Sequence, residues 1–175
     1  MSSTVAKPKF LISLVSARFL GRAAWLFAMA GVACLAAAAE LPYDEHADGK
    51  VLVQRALRQA KEEHKELLVV FGANWCPDCR VLDSVLHSPD AQALSRRFVM
   101  VKLDVGSFDR NIDLARRFEI PLRRGIPAVA LVSDDEKLLY VTRGGELADA
   151  QKMGGAAIVD FFNRVLAAAP RPAAQ

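Results

Sequence analysis

Two cysteines separated by two residues, Cys76 and Cys79, are the side chains here most suited to covalent chemistry. They sit in "FGANWCPDCR", residues 71–80, with Trp75 directly before them and the apolar run 67–71 upstream. Such a pair can bind a metal, close a structural disulfide or exchange electrons. A structural zinc site takes four ligands. This chain offers one pair, and His46, His64 and His87 are scattered without ligand spacing. A disulfide across a two-residue gap closes a tiny loop, so it constrains the unfolded chain little. Electron exchange fits both spacing and setting. The pair lies where an apolar strand passes into a helix, which puts Cys76 at the helix N-terminus. Unpaired N–H groups and the helix dipole favour a thiolate there. Cys79, one turn on, lies beneath it, placed to resolve a mixed disulfide. The expected site needs no metal and no cofactor.

The elements that must position this pair can be read from periodicity. Asp48 caps a helix over residues 49–64, with Val53, Ala56, Leu57 and Ala60 on one face. "ELLVVFGA", 66–73, is a continuously apolar strand of the kind buried on both faces. A helix starts at Pro77, a residue suited to the first helical position, and buries Val81, Leu82, Val85 and Leu86. "HSPDAQAL", 87–94, restarts it with Ser88 as cap. "FVMVKLDV", 98–105, is a second buried-type strand, and 109–118 a short helix. Residues 125–133 form a third strand, "DDEK" a turn, and 138–143 a fourth strand. The last helix runs over about 155–168 and buries Ile158, Phe161, Phe162, Val165 and Leu166. This order implies one α/β domain with a mixed sheet.

The 175 residues are 53% hydrophobic and 25% charged, enough for one domain with a true core. The net charge of +3 misleads. Residues 1–39 hold Lys7, Lys9, Arg18 and Arg22 and no acid; taking these four from 23 basic residues leaves 19 against 20 acids. A near-neutral body gives no electrostatic case for nucleic acid. The leader itself reads as a signal peptide: basic residues, then the uncharged run 23–39, ending in small residues. Ala37 and Ala39 place the cut before Glu40. An uncleaved anchor and a lipoprotein at Cys34 are the alternatives. All three export the body, to the periplasm or an equivalent compartment, where Cys76 and Cys79 meet oxidising conditions. The domain plan is therefore a leader at 1–39, a lead-in at 40–48, a domain at 49–168 and a flexible tail at 169–175.

"NWCPDC" after an apolar strand resembles the active site of the thioredoxin superfamily. "RRGIPAVALV" resembles the loop that carries its cis-proline, and "RGG" matches the glycine after the following strand. The resemblance covers about residues 67–166. Within that family the chain looks closest to exported thioredoxin-like proteins and to the soluble C-terminal domain of the membrane disulfide reductase. It implies a thioredoxin-like fold, a central mixed sheet of four or five strands flanked by helices. Cys76 resembles the attacking cysteine, Cys79 the resolving one, and Trp75 the tryptophan beside the site. Ile126 and Pro127 resemble the cis-proline dipeptide that faces the sulfurs and pairs with a substrate strand.

Three departures bear on tuning. The dipeptide between the cysteines is Pro77-Asp78, and the Asp78 carboxylate opposes formation of the Cys76 thiolate. A less stabilised thiolate makes a less oxidising disulfide. Val70 stands where thioredoxins keep a buried aspartate, and Lys102 matches their partly buried lysine. Asp83, four residues after Cys79, is either a substitute acid or a solvated aspartate. The loop before Pro127 is about three residues longer than its thioredoxin equivalent and brings Arg123 and Arg124, either beside the substrate groove or out in solvent. The expected function is that of an exported, monomeric thiol–disulfide oxidoreductase acting on protein thiols and disulfides, leaning to reductase, with a membrane or soluble redox partner. A redox-inert binding module and a metallochaperone are the alternatives.

Overall fold

The computed structural model describes residues 41–169. The leader expected over 1–39 and the tail residues 170–175 lie outside the described residues. The lead-in passes into α1 (Gly49–Glu63), then β1 (Glu66–Gly72), α2 (Pro77–Leu86), α3 (Gln92–Ser95) and β2 (Phe98–Asp104). Next come α4 (Ile112–Arg117), β3 (Ala128–Val132), β4 (Leu138–Val141), α5 (Ala150–Met153) and α6 (Gly155–Ala168). The four strands form one sheet in the order β2-β1-β3-β4. β1 runs parallel to β2 and antiparallel to β3, and β3 runs antiparallel to β4. The sheet is mixed, as expected from sequence, and has four strands.

Why β1 is central is visible in its composition. All seven of its residues are buried, as are all five of β3. The edge strands differ: Met100 and Lys102 of β2 and the first three residues of β4 are only half-buried. Side chains alternate across a strand. Phe71, on one face of β1, meets Phe118 at the end of α4 edge-on at 6.3 Å. Gly72, on the other face, looks toward Cys79 of α2. α1 closes against α4 at Gly49, where an added Cβ would run into Asn111 and Leu114. On the opposite side Phe162 of α6 meets Phe98 of β2 at 6.4 Å. Phe71, Phe162, Leu82, Leu103 and Ile158 are fully buried. Each such side chain contributes roughly 1.5–3 kcal/mol relative to exposure.

Local signals set the helix ends that matter. The Asp48 carboxylate accepts from the N–H groups of Lys50 and Val51 at 2.9 and 3.3 Å and starts α1. His64, in the left-handed region at φ 51°, ends it. Ser88 behaves differently from the cap expected of it. It occupies the position before the short 3-10 turn Pro89–Ala91, but its hydroxyl donates back to the Val85 carbonyl at 2.7 Å. The hydroxyl thus closes the end of α2 instead of opening the next turn.

Candidate active site

Cys76 occupies the N-cap position of α2, in extended backbone conformation, and Pro77 follows at the first helical position. Proline has no N–H to lose there, so the turn costs the helix nothing. The Cys76 sulfur takes the part usually played by a capping oxygen: it accepts from the Cys79 N–H at 3.2 Å. Both cysteines are free thiols, 4% and 0% exposed respectively. Across from them the Ile126–Pro127 peptide bond is cis, and the Ile126 carbonyl accepts from the Cys76 S–H at 3.6 Å.

The two sulfurs differ in acidity for reasons the geometry supplies. The Cys76 thiol is pulled down to about 7. The largest cause is the Cys79 S–H, which donates to the Cys76 sulfur; burial opposes it. The Cys79 N–H adds to the fall, the Asp78 carboxylate opposes it, and the Asp78 N–H adds again. Helix N–H groups therefore matter, as expected from sequence, but less than the partner thiol. The Cys79 thiol is pushed far up, first because Cys76 holds its proton and then because it is buried.

The residues singled out from sequence fall in three places. Trp75 is 55% exposed; its Nε1 donates to the Gly106 carbonyl at 2.9 Å, and its ring meets Phe108 edge-on at 5.9 Å. Asp78 lies beside the sulfurs, and its carboxylate also accepts from the Gln151 N–H at 2.9 Å, which ties the start of α2 to α5. Asp83 and Lys102 pair with each other at 2.6 Å, beneath the site and partly buried. Arg123 lines a groove of about 830 Å³ with Phe108, Ile120, Pro121 and Leu122, beside the loop that carries Pro127. Arg124 is exposed and is not among the groove's lining residues.

Two residues join the site that the sequence did not single out. Phe108 covers Trp75 and is 44% exposed. Tyr43, from the irregular lead-in, is buried at 2% exposure, and its hydroxyl reaches Cys79. Asn74, next to the motif's tryptophan, was the available signal for the second. An amide in a buried turn must find partners, and it finds them on Tyr43. Among the described residues, no three His, Cys, Asp or Glu side chains gather as a metal-ligand group.

A fold with a parallel β1–β2 pair, a CxxC turn at the end of β1 and a cis-proline facing it defines a class of protein, and the comparisons with known proteins agree. Residues 51–133 match a family model described as thioredoxin-like. A thioredoxin of Buchnera aphidicola is 31% identical over 105 residues, which is 60% of this chain and 83% of that protein. The chain belongs to the thioredoxin-like family. A crystal structure titled as a disulphide isomerase from Xylella fastidiosa Temecula1 is 50% identical, with a TM-score of 0.71, covering 74% of this chain and 99% of that one. The oxidised C-terminal domain of Neisseria meningitidis DsbD matches at 20% identity and a TM-score of 0.48, over 67% of this chain and 96% of that one. At that distance the likeness says nothing about the direction of electron flow.

Proposed function

We propose that the protein is an exported thiol–disulfide oxidoreductase that acts on protein substrates from the reduced state of its Cys76–Cys79 pair. The observation that carries this reading is the division of acidity between the sulfurs. Cys76, drawn down to about 7, is substantially thiolate near neutral pH, while Cys79 keeps its proton. The Cys76 thiolate attacks a substrate disulfide, forms a mixed disulfide and releases one substrate thiolate. Cys79 then attacks Cys76, breaks the mixed disulfide and releases the second thiolate. Two electrons pass to the substrate, and the oxidised pair is recharged by a partner dithiol. Trp75, Phe108 and the groove lined by Ile120, Leu122, Arg116 and Arg123 receive the substrate chain, which lies along the Ile126–Pro127 loop, with Arg124 at its outer side. Cys76, Cys79, Ile126 and Pro127 are buried, whereas the aromatic pair is open to solvent.

The lean toward reduction rests on Asp78, whose charge opposes the Cys76 thiolate and so lowers the oxidising power of the disulfide. Isomerisation is the second reading. It is favoured by the 50% identity to a protein titled as a disulphide isomerase, and it too requires a reduced pair. Reduction of insulin in dithiothreitol tests the shared chemistry: precipitation is expected well ahead of the reagent alone, and a rate equal to the reagent rejects it. Cys79→Ser separates the two readings, since isomerisation of a scrambled substrate survives loss of the resolving thiol and net reduction does not. Export is checked by N-terminal sequencing of the protein from its host, with a start at Glu40 expected.

A further inference from the structure

The lead-in 41–48 contains no helix or strand before the start of α1, yet one of its side chains is among the most buried in the protein. Asn74 holds Tyr43 from both sides of its backbone. The Tyr43 N–H donates to Asn74 Oδ1 at 3.0 Å, and Asn74 Nδ2 donates to the Tyr43 carbonyl at 2.8 Å. The same amide donates to Glu45 Oε1 at 2.8 Å. Asn74 is two residues from Cys76, so these bonds tie the lead-in directly to the cysteine turn. The clamp aims the phenol into the space between β1 and α2. Gly72 makes that space: an added Cβ there would overlap the Tyr43 hydroxyl and lie 3.0 Å from Cys79 Sγ. The hydroxyl and the Cys79 sulfur therefore flank the same small space and face each other across Gly72.

We propose that Tyr43 is a catalytic hydrogen-bond donor to Cys79, holding the resolving sulfur and stabilising its thiolate as it attacks the Cys76 mixed disulfide. The inference rests on the thiol-exchange reading above and adds a residue to its second step. A phenol is suited to give a hydrogen bond here and unsuited to take a proton. Tyr43 is buried and faces Cys79, Asp83 and Cys76, all of which disfavour a phenolate, so its pKa is raised well above the ordinary value. It stays protonated and remains a donor throughout the neutral range. Asp83, the nearby carboxylate, is engaged by Lys102. The step balances without another reactant. Cys79 loses its thiol proton to solvent, and its sulfur bonds to Cys76 Sγ. The Cys76–substrate S–S bond breaks with its electron pair going to the substrate sulfur, and that sulfur takes up a proton from solvent.

The test follows the reduced full-length protein carrying Cys34→Ser, which removes the one other thiol of the sequence, mixed with 5,5′-dithiobis(2-nitrobenzoate). Attack by Cys76 releases the first thionitrobenzoate, and resolution by Cys79 releases the second. Losing a hydrogen bond to a charged sulfur raises the Cys79 pKa by roughly one unit, about tenfold less thiolate. The more basic sulfur is about threefold more nucleophilic. Tyr43→Phe, which keeps the ring and the packing, is therefore expected to slow the second release about threefold and move its pH midpoint up by about one unit. The first release should change less than about twofold. Asn74→Ala, which keeps the hydroxyl but unclamps it, should shift the second phase the same way. An unchanged second phase in Tyr43→Phe overturns the proposal, and so does equal slowing of both phases, which assigns Tyr43 a purely structural part. If the parent Cys34→Ser protein releases only one thionitrobenzoate, the thiol-exchange reading itself fails and takes this inference with it.

Discussion

Above Cys76 the molecule is open. Trp75 and Phe108 stand more than two-fifths exposed and meet edge-on, and Phe108 also lines a groove shared with Arg116 and Arg123. Below Cys79 it is closed. Tyr43 and Gly72 lie beside a sulfur with no exposure, Asn74 holds the Tyr43 backbone, and among the described residues no buried side-chain nitrogen or oxygen lacks a partner. One turn of α2 joins these two environments. The comparison shows how a two-residue spacing yields two different thiols. The upper sulfur receives donors, the Cys79 S–H and N–H, and becomes acidic; the lower one donates its S–H to Cys76, is desolvated and keeps that proton. The open side, to which the proposed function assigns the substrate, is built from loops, where sequence and shape can vary without disturbing the core. The closed side, which holds the sulfur proposed to resolve the mixed disulfide, is part of the core itself.

The strongest way to break this contrast is to delete each sulfur. Cys76→Ser is expected to reduce insulin reduction to the reagent background. Cys79→Ser should instead accumulate a mixed disulfide on non-reducing gels. Equal trapping by both variants would remove the distinction between the sulfurs. A second test compares truncations on the two sides. Tyr43→Ala empties a buried site and should cost about 3–5 kcal/mol in urea unfolding, in line with other buried aromatics. Trp75→Ala, on the open side, should cost under about 1 kcal/mol, and its loss should appear in the apparent affinity for protein substrates. Similar stability losses for the two would contradict the buried-versus-open division.

Acidity gives a finer measure. With Cys76 at about 7, its alkylation by iodoacetamide should rise about tenfold from pH 6 to pH 8 and then level off. Stability of the reduced protein follows the same groups. The folded pKa of Cys76 lies below the ordinary thiol value of about 8.5, so its contribution is present above that value and is lost as pH falls through 7. Cys79 is raised, so its contribution is present below about 8.5 and is lost as pH rises beyond it. Urea midpoints of the reduced form should therefore peak at about pH 8.5 and fall on both sides; a flat profile would show that the sulfurs are not differentially held.

The smallest effect expected is that of Asp78→Asn. The carboxylate raises the Cys76 thiol, so its removal should lower the Cys76 pKa by a few tenths to about one unit, on the scale of one charge at a modest distance in a surface-type dielectric. The disulfide should become correspondingly more oxidising in glutathione redox buffers. The hydrogen bond from the Gln151 N–H to Asp78 survives in weakened form with an amide oxygen as acceptor, so α5 should stay in place. An unchanged or raised Cys76 pKa would remove the argument for a reductase.

Much of this arrangement was legible in the chain as written, because it depends on local rules. Continuous apolar runs marked β1 and β3, Asp48 and Pro77 marked helix starts, and the 3.6-residue period marked the buried face of α6. The two-residue gap placed both sulfurs on the first turn of α2, and the family resemblance pointed to Ile126 and Pro127, which the fold brings to the Cys76 sulfur. What local pattern does not carry is which distant segment fills a given space. Ser88 satisfied a cap pattern, yet its hydroxyl donates back to the Val85 carbonyl and caps no N–H of the following turn. Lys102 and Asp83 are 19 residues apart, and only the seating of α2 on the sheet makes them a pair. Tyr43 and Cys79 meet because Asn74 binds the lead-in across 31 residues and Gly72 leaves room for a phenol. Periodicity and spacing along the chain determined the strands, the helices and the reactive pair. The partner of each sulfur was decided by packing across the sheet, because burial and hydrogen bonding act between neighbours in space whatever their separation in sequence.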